Sequence, residues 1–267
     1  MPFYFLLFTY KLLLVRISAT IITYNEEAKI AEAIKSVDFA DEILVVDSES
    51  TDKTREIAES LGAKVLVQKW LGFSRQKQFA VDAAQNDWIF SLDADERISV
   101  ELKTEILKLK DNNNLADGYR IPRLSFYLNR PIRHGGWYPD WQIRFFNRQK
   151  ARWKDVLIHE SVEVEGKVEK LKGDILHFSV ENMAHHHRMI GERYAPLAAR
   201  QMFESGKRTS KSKIYTAGLT AFLQTFVIKA GFLDGFAGFC IARFAAHHAF
   251  LKHLLLWEMQ QAVKSEK

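Results

Sequence analysis

The chain contains 267 residues, of which 47% are hydrophobic and 27% charged, and its aromatic residues are 19 Phe, 8 Tyr and 6 Trp. This composition excludes an intrinsically disordered chain, and the negative mean hydropathy excludes a polytopic membrane protein. The single cysteine, Cys240, excludes an internal disulfide framework and a zinc site built from several cysteines. The net charge of +5 does not by itself indicate an anionic partner. The length suffices for one large α/β domain, alone or with a helical appendage.

Residues 1–16 form an apolar leader, in which the stretch Pro2 to Val15 carries Lys11 as its only charge. A signal peptide needs a basic start and a small-residue cleavage site, and neither is present here. We interpret the leader as an extra strand or a short segment that touches a membrane. A translation start assigned too far upstream is the alternative.

Between residue 17 and about residue 115, short apolar runs alternate with helical patterns. The runs are ISATIIT (17–23), EILVVD (42–47), AKVLVQ (63–68) and WIFSLD (88–93). Helical spacing is seen between them, as at Ile30, Ile34 and Val37. This alternation predicts parallel strands with right-handed crossovers, and therefore an α/β doubly wound sheet. Since ligands of such sheets bind beyond the carboxyl ends of the strands, the polar residues that end these runs should converge on one rim.

The second half of the chain has a different pattern. Residues 119–180 contain β-rich pieces without long helices between them, as expected of an antiparallel or mixed extension. From about residue 182 the chain becomes helical and basic, and the apolar stretch Ile214 to Ile228 carries no charge. At about 1.5 Å per residue this stretch is too short to span the ~30 Å hydrocarbon core of a bilayer comfortably.

Residues 188–213 contain seven basic residues against two acidic ones, Glu192 and Glu204. A solvated helix face is the default interpretation of such a run. Nucleic-acid binding is not expected, because neither a reader motif nor interleaved aromatic residues are present. Basic residues beside a Phe-rich stretch of limited length favour an interfacial segment that faces anionic lipid.

The strongest local signal is SLDADE (91–96), which puts Asp93 and Asp95 at the exit of an apolar run. Two carboxylates at this place cannot both enter a dry core without a large desolvation cost. At the rim of a sheet they can share a hard divalent cation that bridges phosphate oxygens. A solvated loop also fits an Asp-x-Asp tripeptide, but in this context we favour a site for a metal and a nucleotide.

Two more polar turns follow the first two runs. TYNEE (23–27) fits a helix start with Asn25 as N-cap, or a set of groups that holds a nucleotide base and ribose. DSESTD (47–52) also contains capping residues. Capping does not explain Asp47, an acid at the end of an apolar run, for which a hydrogen bond to a ribose hydroxyl or a base N–H is a natural use.

In order and spacing, ITYNEE, VVDSESTDKT and WIFSLDADE resemble the inverting family 2 glycosyltransferases of GT-A fold. Four later segments are similar to the branch of that family that builds the lipopolysaccharide core: GFSRQKQFA (72–80), GGWYPDWQIRFF (135–146), VLIHE (156–160) and GFLDGFAGF (231–239). Members of that branch transfer glucose or a similar sugar to inner-core heptose or Kdo. The resemblance covers about residues 17–257.

The resemblance implies a GT-A catalytic domain over residues 17–181, with a nucleotide half (17–115) and an acceptor half (116–181). A helical, membrane-associating region would follow over 182–267. The implied reaction moves a hexose, with glucose expected, from a UDP-sugar to a lipopolysaccharide inner-core sugar at the cytoplasmic face of the bacterial inner membrane, where the enzyme is peripheral or monotopic. A polyprenyl phosphate or another membrane glycolipid is the alternative acceptor. A non-catalytic module that binds a sugar nucleotide or a membrane is the alternative from another class.

The resemblance also gives roles to single residues. Four of them would hold the uridine: Thr23, Asn25, Glu26 and Asp47. Asp93 would contact the ribose or the metal, and Asp95 would be the direct ligand of Mg²⁺ or Mn²⁺ on the diphosphate. Arg75 and Lys77, in the loop before the third helix, could approach phosphate, although a solvated helix face explains them almost as well.

Inverting transfer is an in-line displacement at the anomeric carbon, in which a carboxylate removes the proton of the acceptor hydroxyl. The base must lie across the sugar from the metal, so we expect it in the second half of the chain. Asp140 is our choice, because Trp137 and Tyr138 beside it have aromatic faces that suit sugar stacking. Arg144 would help to hold phosphate or acceptor. An ordinary loop ion pair between Asp140 and Arg144 is the structural alternative.

Glu160 competes with Asp140 for the role of base, since it follows an apolar VLI run. His159 beside it could be a third metal ligand, and a strand-end histidine bonded to the backbone fits equally well. The run His185–His187 is not expected to chelate one ion, because adjacent residues on a helix point about 100° apart. We expect that run on a solvated surface or in contact with phosphate.

Overall fold

The computed structural model describes residues 15–112, 114–155, 160–180 and 182–265. Two predictions fall wholly or partly outside these residues. Residues 1–14 of the leader are not among them, and neither is the proposed metal ligand His159.

The first part of the chain alternates strands and helices. Strands β1 (Ile17–Thr23), β2 (Glu42–Asp47), β3 (Lys64–Val67) and β4 (Trp88–Asp93) are separated by helices α1 (Ile30–Ser36), α2 (Thr54–Ser60) and α3 (Phe73–Ala83). The strands lie in the order β3-β2-β1-β4, and neighbours pair in parallel. The predicted α/β sheet is confirmed, since all four apolar runs became its strands.

The sheet continues beyond β4 with strands of mixed direction. In spatial order after β4 they are β8 (Asp140–Asn147), β6 (Gly118–Tyr127), β12 (Ile175–His177) and β5 (Glu96–Ile98). Strand β8 is antiparallel to β4, and the short strands β7 (Arg130–Pro131) and β11 (Val168–Lys170) pair with β6. Strands β9 (Ala151–Trp153) and β10 (Val162–Val164) form a separate antiparallel ribbon. The predicted mixed β extension is therefore confirmed.

Side chains from successive strand residues enter two different cores, one on each face of the sheet. In β2, Val45 packs in one core with Ile34 of α1, whereas Leu44 packs in the other with Val81 of α3. Helix α4 (Val100–Lys110) is capped by Ser99, whose side chain accepts a hydrogen bond from the Leu102 N–H. Burial on both faces explains why the strands are almost continuously apolar.

The chain divides into two compact units. The first comprises the residues up to Pro122 together with Trp141–Ile175, and the second comprises Arg123–Asp140 and Leu176–Lys267. The helices of the second unit are α5 (Met183–Arg188), α6 (Ala195–Glu204), α7 (Lys211–Leu223) and α8 (Gly235–Ser265). A π-helical turn (Met189–Tyr194) joins α5 to α6, a second one (Gln224–Ile228) ends α7, and a 3₁₀ turn (Gly231–Asp234) precedes α8. The predicted C-terminal helices are thus present.

Within the described part of the chain, no single helix is both long and apolar enough to cross a membrane. The segments Lys211–Ile228 and Gly231–Val263 meet those criteria of length and composition only as a pair, and they are bent by 73° relative to each other.

His186 corrects the expectation that the histidine run is solvated or contacts phosphate. Its Nδ1 lies 2.9 Å from the hydroxyl of Tyr127, and its ring lies 4.1 Å from that of Phe244. Burial lowers the pKa of His186 to about 4 and raises the pKa of Tyr127 to about 12, so both are neutral at pH 7. The expectation is wrong for His186, because this position of the helical run faces the core of the second unit, whereas His187 beside it is exposed.

Gly173→Ala should destabilise the first unit, because a Cβ at this buried position would overlap the backbone of Leu102 in α4. Hydrogen bonds hold the loop that contains Gly173 against α4. The Gly173 N–H donates to Glu105 Oε2 at 2.8 Å, and the Ser99 N–H donates to the Asp174 carbonyl at 2.9 Å. Overpacking of this kind costs about 1–3 kcal/mol, so the midpoint of urea unfolding should fall.

Gly191→Ala is the matched control, because no atom of the described residues comes within 4 Å of a Cβ built there. Since Gly191 lies in a helical segment, this variant should be neutral or up to about 1 kcal/mol more stable. Equal unfolding midpoints for the two variants would contradict the packing of Gly173 on α4.

Candidate functional site

The polar turns that follow β1, β2 and β4 lie at one edge of the sheet. Thr23 at the end of β1 pairs with Asp47 at the end of β2, and Ile22 of β1 pairs with Asp93 of β4. Parallel neighbours that end in register bring their following turns to the same edge, where α/β sheets bind ligands. The predicted convergence of the three turns on one rim is confirmed.

Asn25 ties the turn after β1 to the turn after β2. Its N–H donates to Ser50 Oγ at 2.8 Å, and its Oδ1 accepts from the Thr51 N–H at 2.8 Å. Its φ is 51°, a conformation that asparagine adopts more readily than most residues. The alternative in which Asn25 caps a helix is wrong, because α1 begins only at Ile30.

Thr23 and Glu26, the other residues of this turn that are predicted to contact the sugar nucleotide, have different surroundings. Thr23 is buried, and its hydroxyl has no hydrogen-bond partner among the described residues. A buried polar group of this kind is available for a ligand to satisfy. The Glu26 N–H donates to Thr54 Oγ1 at 2.8 Å, and its carboxylate pairs with Lys29 Nζ at 3.1 Å. The uridine contacts of both residues stay predictions.

Asp47 is fully buried and shapes its own turn. It accepts hydrogen bonds from the Ser50 N–H at 2.9 Å and from the Ser50 hydroxyl, and Arg55 Nε lies 3.7 Å from its Oδ1. Local bonds of this kind are typical of aspartate in tight turns. The structure therefore gives this acid a local role that the sequence did not reveal, and its contact with the donor stays a prediction.

Five charged side chains, three of them buried, form a cluster at the end of β4. Lys77 Nζ lies 2.9 Å from Asp93 Oδ1 and 3.2 Å from Glu160 Oε1. Arg144 Nη2 lies 3.2 Å from Asp93 Oδ2 and 3.0 Å from Glu96 Oε1. Both cations are almost completely buried, with relative exposures of 1% for Lys77 and 2% for Arg144. Asp93 is thus held between two buried positive charges.

The position expected for Lys77 and Arg75 is corrected by the structure. Both lie on α3, which begins at Phe73, and not in a loop before it. The side chain of Lys77 points into the charged cluster. Arg75 lies on the exposed surface and pairs with Asp155 through Nη2 at 2.8 Å. Of these two basic residues, the structure brings Lys77 to the acidic motif.

Sequence reasoning gave no role to two residues of this cluster region. Glu96 is fully buried, and its Oε2 accepts the Asp93 N–H at 3.0 Å while its Oε1 binds Arg144. The ring of Trp153 lies 4.9 Å from Lys77 Nζ, a cation–π distance. The sequence feature that could have pointed to Glu96 is its place in SLDADE. For Trp153, that feature is its place at the end of the β-rich segment ARW.

Asp95 lies on the turn between β4 and β5 and is partly exposed. In the described ranges, no group of three or more His, Cys, Asp or Glu side chains could hold a metal ion. Mg²⁺ commonly binds one or two carboxylates and takes its other ligands from substrate phosphates and water. Asp95 and Asp93 fit that donor set, which is incomplete without a phosphate ligand.

The two candidate bases lie in different surroundings. Asp140 belongs to the second unit, and its Oδ2 accepts hydrogen bonds from Arg123 Nη2 at 2.6 Å and Nε at 2.9 Å. In this ion pair Arg123 takes the place that the sequence analysis gave to Arg144. Burial raises the pKa of Glu160, but the charge of Lys77, its hydrogen bond and a backbone hydrogen bond together outweigh burial, so the net pKa is lowered. A lowered pKa keeps Glu160 ionised and weakens it as a proton acceptor.

The residues predicted to contact the acceptor or a phosphate are Trp137, Tyr138 and Arg144, and they have different neighbours. Trp137 packs edge-on to Tyr127 with ring centroids 6.0 Å apart, and the Arg133 guanidinium lies 5.1 Å from the ring of Tyr138. Arg144 belongs to the charged cluster of the first unit. The acceptor roles of these residues stay predictions.

Residues 18–163 match the model of Glycosyl transferase family 2. An uncharacterized glycosyltransferase of Rickettsia bellii is 36% identical over 265 residues, which cover 93% of this chain and 88% of that protein. The lipopolysaccharide core biosynthesis glycosyltransferase LpsC of Rhizobium meliloti is 30% identical over 243 residues, 88% of this chain and 89% of that protein. S. aureus TarS, crystallised in complex with UDP-GlcNAc, is a distant structural likeness with 15% identity and a TM-score of 0.47 over 95% of this chain and 93% of that one.

The family match covers the three turns, the acidic motif and the charged cluster, and the sheet order agrees with the GT-A fold that the motifs implied. The chain belongs to glycosyl transferase family 2 and is a glycosyltransferase.

Proposed function

We propose that the protein is an inverting hexosyltransferase that moves a hexose, with glucose expected, from a UDP-sugar to a lipopolysaccharide inner-core sugar. The observation that carries the proposal is the position of Asp93, with Asp95 two residues later, at the rim shared with the turns of Thr23 and Asp47. The UDP-sugar donor is the one that the motifs imply. The 30% identity to LpsC, which is named for lipopolysaccharide core biosynthesis, supports the acceptor.

The charge of the cluster supports a divalent cation as cofactor. Two cations, Lys77 and Arg144, face three carboxylates, so the cluster carries one net negative charge before Asp95 is added. A diphosphate brought there alone would meet charge of its own sign. Mg²⁺ or Mn²⁺ held by Asp95 and Asp93 would supply neutralisation of the departing diphosphate.

The reaction needs a base on the acceptor side of the donor sugar. The acceptor hydroxyl oxygen forms a bond to the anomeric carbon while the bond from that carbon to the diphosphate oxygen breaks, and the hydroxyl proton passes to the base. We assign the base to Asp140, whose carboxylate is oriented by Arg123. Glu160 is less suited as the base, because it pairs with Lys77, which also pairs with the proposed metal ligand Asp93. It would therefore lie on the side of the donor sugar where the divalent cation binds.

The proposed reaction predicts that the purified protein transfers glucose from UDP-glucose to rough lipopolysaccharide that ends at the inner core. EDTA should abolish the transfer, and excess Mg²⁺ or Mn²⁺ should restore it, because diphosphate departure needs the cation. Incorporation of labelled glucose into the lipopolysaccharide measures both effects. Transfer only to polyprenyl phosphate would move the assignment to that acceptor, and transfer that persists in EDTA would overturn the metal role.

Asp95→Asn should lower turnover by about 10²-fold or more, because the amide keeps the shape of the side chain but loses the charge that attracts a cation. Initial rates at saturating donor, measured over a range of Mg²⁺ concentrations, test this. Asp82→Asn, at an exposed aspartate of α3, is the matched control and should keep the wild-type rate. Unchanged turnover in Asp95→Asn would rule out its metal role.

Asp140→Asn should lower kcat by about 10²-fold while donor binding survives, because only the proton acceptor is lost. Glu160→Gln is its counterpart and should change kcat less. Donor affinity by calorimetry and kcat by product formation separate binding from chemistry. If Glu160→Gln shows the large loss in kcat and Asp140→Asn does not, the base is Glu160.

A further inference from the structure

Helix α7 and the π-helical turn that ends it expose an apolar stripe. Tyr215, Leu219, Leu223 and Val227 recur every fourth residue, with relative exposures of 80%, 63%, 46% and 50%. Residues four apart lie on one face of a helix, and an apolar face is normally covered by the rest of the protein. The apolar stripe therefore indicates a surface that contacts something outside the chain.

The apolar stripe continues into a phenylalanine cluster where α7 meets α8. Rings whose centroids lie between 5.3 and 6.4 Å apart link five residues: Phe222, Phe226, Phe232, Phe236 and Phe239. Phe232 and Phe236 are more than half exposed, and so are their neighbours Ile228 and Leu233. Continuous exposed apolar patches of this kind mark interaction surfaces.

Close backbone packing holds the bend on which this surface is built. Ala230 has a positive φ of 55° between the two bent segments. A Cβ at Gly238 would overlap the carbonyl of Gly231, and a Cβ at Gly231 would lie 2.6 Å from the Thr225 carbonyl oxygen. The exposed rings are thus presented by a tightly packed corner of the second unit.

The segments that carry this surface are mainly basic. Between residues 205 and 257 the basic residues are Lys207, Arg208, Lys211, Lys213, Lys229, Arg243 and Lys252, and the acidic residue is Asp234. Asp234 is withdrawn from the surface, since it accepts the His134 N–H at 2.8 Å, its Oδ1 lies 2.9 Å from His134 Nδ1, and its side chain is 8% exposed. Basic residues that border an apolar helical face fit an anionic lipid surface.

We propose that the apolar stripe and the phenylalanine cluster dock the protein on the surface of a bilayer that contains anionic phospholipid. A second copy of the chain is the competing occupant, but a two-fold contact would set the same basic residues against each other. Lipid headgroups offer the opposite charge, and the boundary beneath them accepts an apolar helix face to a depth of about 5–10 Å. The proposal rests on the surface of the second unit and does not depend on the proposed reaction.

Co-sedimentation of the full chain with vesicles tests the docking. Vesicles of phosphatidylethanolamine with about one third phosphatidylglycerol should bind the protein, and vesicles of phosphatidylcholine alone should bind it at least about tenfold more weakly. The double variant Phe232→Ser/Phe236→Ser should lose about tenfold or more in binding, because both rings leave the lipid boundary. Salt at about 1 M should also weaken wild-type binding by screening the lysines.

Val100→Ser/Leu107→Ser is the matched control, because it removes two exposed apolar side chains from α4 in the first unit. This variant should bind the anionic vesicles as the wild type does. Binding by the Phe232→Ser/Phe236→Ser variant equal to that of the control would overturn the proposal. The proposal would also be overturned if the wild type did not bind anionic vesicles and instead formed a dimer in sedimentation velocity that the Phe232→Ser/Phe236→Ser variant abolishes.

Discussion

A cluster of opposite charges around two buried cations, at the carboxyl end of β4, is the interaction on which the site depends. Taking an ammonium and a guanidinium out of water costs several kcal/mol each, even after the surroundings relax. Lys77 and Arg144 are tolerated there because Asp93, Glu96 and Glu160 face them at hydrogen-bond distances. These residues come from α3, β8, β4, β5 and the segment after β9. The cluster therefore joins parts of the first unit that are distant in sequence, and it fixes the residue that ends β4.

The balance of charge in that cluster also bears on how a donor would bind. A site built only for a diphosphate would direct its basic side chains at the ligand, whereas Lys77 and Arg144 are engaged by carboxylates. Phosphate affinity would then come from a cation that reaches the rim with the nucleotide. In the proposed reaction, donor binding would therefore depend on that cation, because the carboxylates and the diphosphate carry charge of the same sign.

The fold could be predicted where a short stretch of sequence determines the local structure. The site could be predicted only in part. The strands follow from short apolar runs, and Asp93 stands out because an acid at the end of such a run is costly to bury. Arg144 binds Asp93 and Glu96 across 51 and 48 positions of sequence, a pairing that no local pattern encodes. For His186, in contrast, the sequence led to a wrong expectation about burial. The 100° step that argues against chelation by three adjacent histidines also turns one of them towards the core.

A lipid-linked acceptor and an enzyme that lies on the lipid surface would reinforce each other. Confinement of both to one layer raises the concentration of acceptor near the enzyme without any new contact between them. Docking can then be weak, and an interfacial helix suits that need because its attachment is reversible, unlike that of a helix that spans the bilayer. The apolar stripe is a single helix face with Lys213 near one end and Lys229 near the other. If the proposed docking holds, such a surface would keep the protein at the membrane through modest apolar contact and screened charge, and the enzyme could leave one region of the membrane and bind another.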